Sequence, residues 1–253
     1  MSIQEYEKHL IGELCWECHE ATKPSSGRQR QCPRCRRKWS YAQEQRQWAL
    51  LRAFVLQASA NHAAKNVGVS YPTAYTAFRR YREVLADLAE AEGRKLLGEI
   101  EVDESYFGGH RKGRRGRGAA GKVAVFGLLE RHGRVCAVVV PNCTKETLMG
   151  KIKAYAVKGA VFYTDEFTSY SDLQSFGKHL PINHQKNFAH GSCHINGIEG
   201  FWSFAKQLFL KCHGVDPEHF PLYLKEYEFR FNHRNEDLTQ ILFDHLIADK
   251  HSV

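Results

Sequence analysis

The sequence has no apolar run of the ~18 residues that a membrane-spanning helix needs; its longest apolar stretches, such as Val135–Pro141, have only the length of a strand. Its opening, Met1-Ser-Ile-Gln-Glu-Tyr-Glu-Lys8, has no basic region followed by an apolar one, so no secretory signal and a cytoplasmic location are expected. Neither a Gly-Lys-Ser/Thr phosphate loop nor a dinucleotide glycine fingerprint occurs, so no ATP requirement is expected. Wholesale disorder is excluded by a composition that is 43% hydrophobic and 25% charged.

What is present leans basic. Lys and Arg number 36 against 28 Asp and Glu, a formal net charge of +8, which raises the expectation of a polyanionic partner. The excess is uneven. His110–Gly118 contains Arg111, Lys112, Arg114, Arg115 and Arg117, several glycines and no acid. Such a stretch is a loop, either simply solvated or in contact with a phosphate backbone.

The 253 residues suit one sizeable domain plus an appendage. Four of the eight cysteines form a pattern, Cys15-x2-Cys18 and, thirteen residues on, Cys32-x2-Cys35. Paired knuckles of this kind let four thiolates converge on structural Zn2+, and a cytosolic chain keeps its thiols reduced rather than bridged. The short polar stretch Thr22–Arg30 between them fits the hairpin of a zinc ribbon. Cys136, Cys143, Cys193 and Cys212 lack such spacing and read as packing residues. A helical stretch with Trp48, Leu51, Phe54, Val55 and Leu56 on one face comes next. Ala63 and Ala64 then allow close helix packing, Gly68 a tight turn, and Ser70 a cap, as a helix-turn-helix requires. Thr73, Tyr75 and Thr76 would begin its recognition helix, with Arg79, Arg80 and Arg82 near the end. The alternative is an ordinary helical hairpin joining two domains. Gly93 and Gly98 bracket a polar linker, which gives a zinc ribbon over 1–43, a helix-turn-helix DNA-binding region over 44–92 and a catalytic domain over 93–253.

In the last region, 99–106 alternates apolar and acidic residues as a half-buried strand should. Lys122–Glu130 and Arg134–Val140 read as two more strands joined by Arg131-His-Gly133, with a helix capped by Asn142 or Thr144 and a buried strand over Gly159–Tyr163 following. Helices are expected over Asn196–Leu210 and Leu222–Asn232. A meander, a crossover and a strand parallel to the first make an α/β, ribonuclease-H-like fold. That topology makes the strands of Asp103 and Asp165 neighbours, with Glu199 on the later helix. Phosphodiester chemistry uses such carboxylates to hold a pair of Mg2+ ions. Isolated acids are otherwise surface charges. His184, His190, Cys193 and His194 are too irregularly spaced for a second zinc site, and Trp202 and Phe204 read as packing rather than base-stacking groups.

Three phrases, Val102-Asp-Glu-Ser-Tyr-Phe-Gly-Gly109, Tyr163-Thr-Asp-Glu-Phe-Thr-Ser-Tyr170 and His194-Ile-Asn-Gly-Ile-Glu-Gly-Phe-Trp-Ser-Phe-Ala-Lys206, closely resemble bacterial insertion-sequence transposases. The subgroup has a DDE-type catalytic domain after an N-terminal zinc ribbon and helix-turn-helix, and the likeness runs from Cys15 to about Arg234. The resemblance implies binding of double-stranded DNA at the element's terminal inverted repeats. It also implies cutting there with Mg2+ or Mn2+, strand transfer into target DNA, and work as a homo-oligomer. By it Asp103, Asp165 and Glu199 match the three metal-binding acids, and Lys206 matches a basic residue that would hold a phosphate. Asn196, one turn before Glu199, is the rival third ligand; Glu199 is favoured because a carboxylate better balances two divalent cations, and Asn196 is left to orient the helix start or contact a ligand. A zinc-ribbon regulator without catalysis and a ribonuclease-H-like nuclease or resolvase remain the alternatives.

Overall fold

The computed structural model describes all residues except 1, 11, 16, 26–28, 41, 94, 109–121, 166–167, 183–193, 213 and 247–253. In chain order its elements are α1 (Ile3–Leu10), β1 (Lys23–Pro24), β2 (Gln29–Gln31), β3 (Lys38–Ser40), α2 (Ala42–Val55), α3 (Ala60–Val67) and α4 (Tyr71–Ala91). There follow β4 (Glu99–Phe107), β5 (Val123–Glu130), β6 (Val135–Val140), α5 (Lys145–Tyr155), β7 (Val161–Asp165), β8 (Lys178–Ile182), α6 (Asn196–Lys211), α7 (Phe220–Asn232) and α8 (Leu238–Leu246). They fall into two units, 1–85 with 235–253, and 86–234.

In the first unit β1, β2 and β3 form an antiparallel sheet. In the same unit α2 buries Trp48, Leu50, Leu51 and Phe54. Leu56, which the spacing put on that face, lies past the helix end and is 78% exposed. The fully buried Tyr6 of α1 meets Phe243 of α8 edge-on at 5.0 Å and Trp48 at 5.5 Å. The last helix, which was not expected and lies in the stretch 93–253 assigned to the catalytic domain, supplies Leu242, Phe243 and Leu246 to the core of the first unit. Ser59 caps α3 by accepting from the His62 N–H, and Gly68 ends it in the left-handed conformation (φ 72°) that suits glycine. Ser70 accepts from the Thr73 N–H at the start of α4, after a three-residue turn, and Ala63 and Ala64 are buried in α3, which packs against α2.

The second unit is an α/β layer structure with a mixed sheet in the order β6-β5-β4-β7-β8. β4, β5 and β6 are an antiparallel meander, while β7 runs parallel to β4, and β8 parallel to β7. These are the strand directions that the ribonuclease-H-like expectation requires. One face packs Ile100, Val102, Phe126, Leu128 and Phe162 against Leu148 and Ile152 of the crossover helix α5. The other packs Val125, Leu129 and Tyr163 against Ile198, Phe201 and Trp202 of α6 and Leu224 and Tyr227 of α7. Asn232 and the buried Glu228 of α7 also bond the backbone of Val135 and Ala137, tying α7 to β6. β8 was not expected. Thr144 is the N-terminal boundary residue of α5, but its side chain makes no cap; Asn142 accepts from both its N–H and its hydroxyl. Among the described residues no helix is long and apolar enough to cross a membrane.

Candidate active site

The alternation of β4 sends Glu101, Asp103, Ser105 and Phe107 to the face covered by α6, and Glu104 to the other, where it accepts from the Tyr170 hydroxyl at 2.7 Å. β4 and β7 pair in the register Glu99↔Val161, Ile100↔Phe162 and Glu101↔Tyr163. Continued two residues, that register sets Asp165, at the end of β7, level with Asp103 and on the same face. Across the other edge of β4, Asp103 pairs with Gly127 of β5.

α6 runs beside β4 in the same direction. Near its start the Ile198 N–H donates to the buried Glu101 carboxylate at 2.9 Å, and a turn later the Trp202 indole N–H donates to Asp103 at 3.0 Å. Gly127 makes this second bond possible: a Cβ there would stand 2.6 Å from the Trp202 ring, which lies across the strand at that point. Gly197 allows an equally close approach nearer the helix start, where a Cβ would stand 2.8 Å from Glu101. Arg131 completes the anchor. It donates to Glu101 and Glu99 at 3.1 Å each, and its guanidinium lies 3.7 Å from the centre of the Tyr163 ring. A further bond to the His194 carbonyl ties in the chain just before α6. An N–H at a helix N-terminus and an arginine thus share one carboxylate, a charge-assisted arrangement that fixes where α6 begins.

The exposed Glu199 sits in the first turn of α6, and Asn196, also exposed, is its first residue. Burial, with the Asp165 and Glu199 carboxylates adding to it, pushes Asp103 up to about 6, against the opposing pull of the Trp202 hydrogen bond. Both other acids are therefore near enough to act on Asp103 electrostatically. The three do not form a tight cluster: among the described residues only the four knuckle cysteines and the trio Glu5, His9 and His19 bring their ligand atoms within 4.8 Å of one another. Lys206, seven residues after Glu199, is exposed, with its ammonium 5.8 Å from the centre of the Phe107 ring. Trp202 is buried as a packing residue should be, and Phe204 rests on Phe231.

In the first unit Cys15, Cys18, Cys32 and Cys35 converge, with Cys18 and Cys32 sulfurs 3.3 Å apart and those of Cys15 and Cys35 3.8 Å apart. Backbone N–H groups of Glu17 and Cys35 point at the sulfurs of Cys15 and Cys32. Thr73, Thr76, Arg79 and Arg80 are exposed on α4, with Arg79 paired to Glu83, while Tyr75 is half-buried beside Tyr71. Arg82 differs from expectation: it is buried, with its guanidinium over Phe54. Arg111, Lys112, Arg114, Arg115 and Arg117 lie outside the described residues, as do His184, His190 and Cys193. Sequence reasoning missed Glu101, Gly127, Arg131 and the polar use of Trp202. An acid two places before Asp103, hence on its face, was the available signal for Glu101; the others depend on tertiary neighbours.

Residues 95–232 match the family model described as ISXO2-like transposase domain. An uncharacterized transposase-like protein of Haemophilus influenzae is 45% identical over 101 residues, which are 39% of this chain and 81% of that protein. Looser likenesses are found to the crystal structure of the Mos1 strand transfer complex (12% identity, 81% of this chain and 76% of that one, TM-score 0.32). The mariner Mos1 paired end complex with Mg is similar (11% identity, 81% and 78%, TM-score 0.34). Likeness at that level bears on neither fold nor function.

Proposed function

We propose, from the premise that this chain belongs to the ISXO2-like transposase domain family, that it is a DDE-type enzyme. It binds the terminal inverted repeats of an insertion sequence, cuts DNA there and joins the ends to target DNA. The observation that carries this reading is the register of β4 with β7, which, continued two residues, sets Asp165 level with Asp103 on the adjacent parallel strand, with Glu199 on a helix bonded to β4. An aspartate whose proton affinity burial raises, and two neighbouring carboxylates raise further, suits a donor set that a divalent cation would relieve, and all-oxygen ligation suits Mg2+ or Mn2+. When bound, such ions supply the Lewis acidity that activates the attacking oxygen and stabilises the leaving one.

The protein's own contribution is positioning. Trp202 donates to one oxygen of Asp103 and so fixes the orientation of its carboxylate. Glu101 and Arg131 hold the first turn of α6, and with it Glu199, against β4. Lys206, two helical turns past Glu199 on the same side, binds a backbone phosphate beside the acids. In the first unit Cys15, Cys18, Cys32 and Cys35 hold Zn2+ as a zinc ribbon. α3 and α4 act as a helix-turn-helix that presents Thr73, Tyr75, Thr76, Arg79 and Arg80 to DNA, with Arg111, Lys112, Arg114, Arg115 and Arg117 on the phosphate backbone. The chain works on DNA as a homo-oligomer. A regulator without catalysis gives no reason for the aligned carboxylates, and a nuclease or resolvase would cut without joining.

End cleavage by two purified variants, in Mg2+ and in Mn2+, tests the assignment of the third acid. Glu199→Gln should abolish cleavage while end binding survives, and Asn196→Ala should keep measurable activity. A normally cutting Glu199→Gln beside a dead Asn196→Ala would reverse the assignment.

A further inference from the structure

Glu5 and His9 stand one turn apart on α1, so their side chains share a face of the helix. Both approach His19, the residue after the second cysteine of the first knuckle. His9 is fully buried, and its Nδ1 lies 3.1 Å from the Leu14 carbonyl oxygen. A carbonyl oxygen can only accept, so Nδ1 carries the proton and Nε2 keeps its lone pair. That lone pair is 3.2 Å from Nδ1 of His19, and a Glu5 carboxylate oxygen is 3.8 Å from the same nitrogen. The ligand atoms of all three residues lie within 4.8 Å of one another, in a group distinct from the four thiolates.

His19 adopts a left-handed backbone (φ 55°), but so does Arg36 after Cys35 (φ 60°), so that conformation belongs to the knuckles. What sets His19 apart is its ring, which the knuckle turns onto α1 and stacks edge-on against His9, with ring centres 5.1 Å apart. Two arrangements satisfy the His9 lone pair. In one, His19 donates its Nδ1 proton to it. In the other, both nitrogens face a cation. Ligands 2.0–2.1 Å from a tetrahedral zinc ion stand roughly 3.3 Å apart, so the observed 3.2 Å already suits joint ligation. An imidazole whose second nitrogen donates to a backbone carbonyl is also the usual outer-shell arrangement of a zinc-bound histidine.

We propose that Glu5, His9 and His19 form a second zinc site, which clamps α1 to the first knuckle. Two imidazoles and one carboxylate suit Zn2+ over Mg2+, which prefers oxygen donors alone. The side chains of Glu5 and His19 are 44% and 58% exposed, so the ion enters from solvent and a water completes its coordination. The site stands apart from the transposase reading and from any chemistry at Asp103.

Titration of the full chain with Co2+ as a spectroscopic substitute for zinc tests it. Two equivalents should bind, one with thiolate-to-cobalt charge-transfer absorption and one with ligand-field bands alone. His19→Ala should remove the second equivalent and leave the thiolate bands in place. Glu5→Gln, a change at a partly exposed side chain, should weaken the second equivalent at least about tenfold with the first unaffected. If His19→Ala also disturbs the thiolate bands, Glu5→Gln decides. The proposal fails if the wild-type chain binds only the thiolate equivalent, or if both variants keep the second one.

Discussion

A carboxylate in the middle of a sheet needs a reason to stay there, and for Asp103 the nearest one is the indole N–H of Trp202. The bond requires a flat path across β5, which Gly127 opens because any Cβ would collide with the ring. Trp202→Phe keeps most of the ring and removes the donor. It should lower the unfolding free energy at neutral pH by about 1.5–3 kcal/mol, the worth of a hydrogen bond to a charged group, and slow end cleavage while end binding holds. Denaturant unfolding and a cleavage time course read the two effects, and wild-type values in both would remove Trp202 from the account. The acids themselves were legible in the sequence, because Asp103 stands in a strand pattern and Glu199 at a helix start. The role of Trp202 was not legible, since helical spacing marks a buried ring without saying which polar atom its nitrogen meets.

Among the elements, α6 matters most, because its first turn carries Glu199 and its docking sets where that residue stands. Glu101 receives the Ile198 N–H and the Arg131 guanidinium in a buried setting, with 1% of Glu101 exposed. Glu101→Ala leaves the Ile198 N–H without its acceptor and Arg131 with only Glu99 and the His194 carbonyl, and should destabilise the chain by about 1–3 kcal/mol, the cost of a buried donor left unsatisfied. Thermal unfolding measures this, and an unchanged midpoint would mean that α6 is held by apolar packing alone. The meander β4–β6, the crossover helix and both long C-terminal helices follow from alternation and helical periodicity. β8 escaped notice for a physical reason. Its sequence, Lys178-His-Leu-Pro-Ile182, contains a proline that an interior strand would reject but an edge strand tolerates. α8 has a readable apolar face, yet periodicity names no partner for it, and its place against Tyr6 and Trp48 needed the structure.

At the scale of the whole chain, a net charge of +8 and the acid-free basic stretch from 110 to 118 suit a polyanion. If Arg111, Lys112, Arg114, Arg115 and Arg117 grip phosphates, neutralising them should weaken binding to all DNA sequences alike. The slope of log K against log salt should then flatten by up to about 0.9 for each phosphate no longer neutralised. Binding isotherms at several salt concentrations measure it; an unchanged slope would make the stretch a solvated spacer.

The central claim is that Asp103, Asp165 and Glu199 make this chain an enzyme that both cuts and joins DNA. The most direct measurement incubates the full chain with a labelled terminal repeat and an unlabelled target plasmid, with Mg2+ or with a chelator, beside the Asp103→Asn variant. The account predicts label joined to plasmid by the wild-type chain only when metal is present, and none by Asp103→Asn even though it still shifts the repeat in a gel. Joining by Asp103→Asn at the wild-type level, or cutting of the repeat with no joined product, would contradict it.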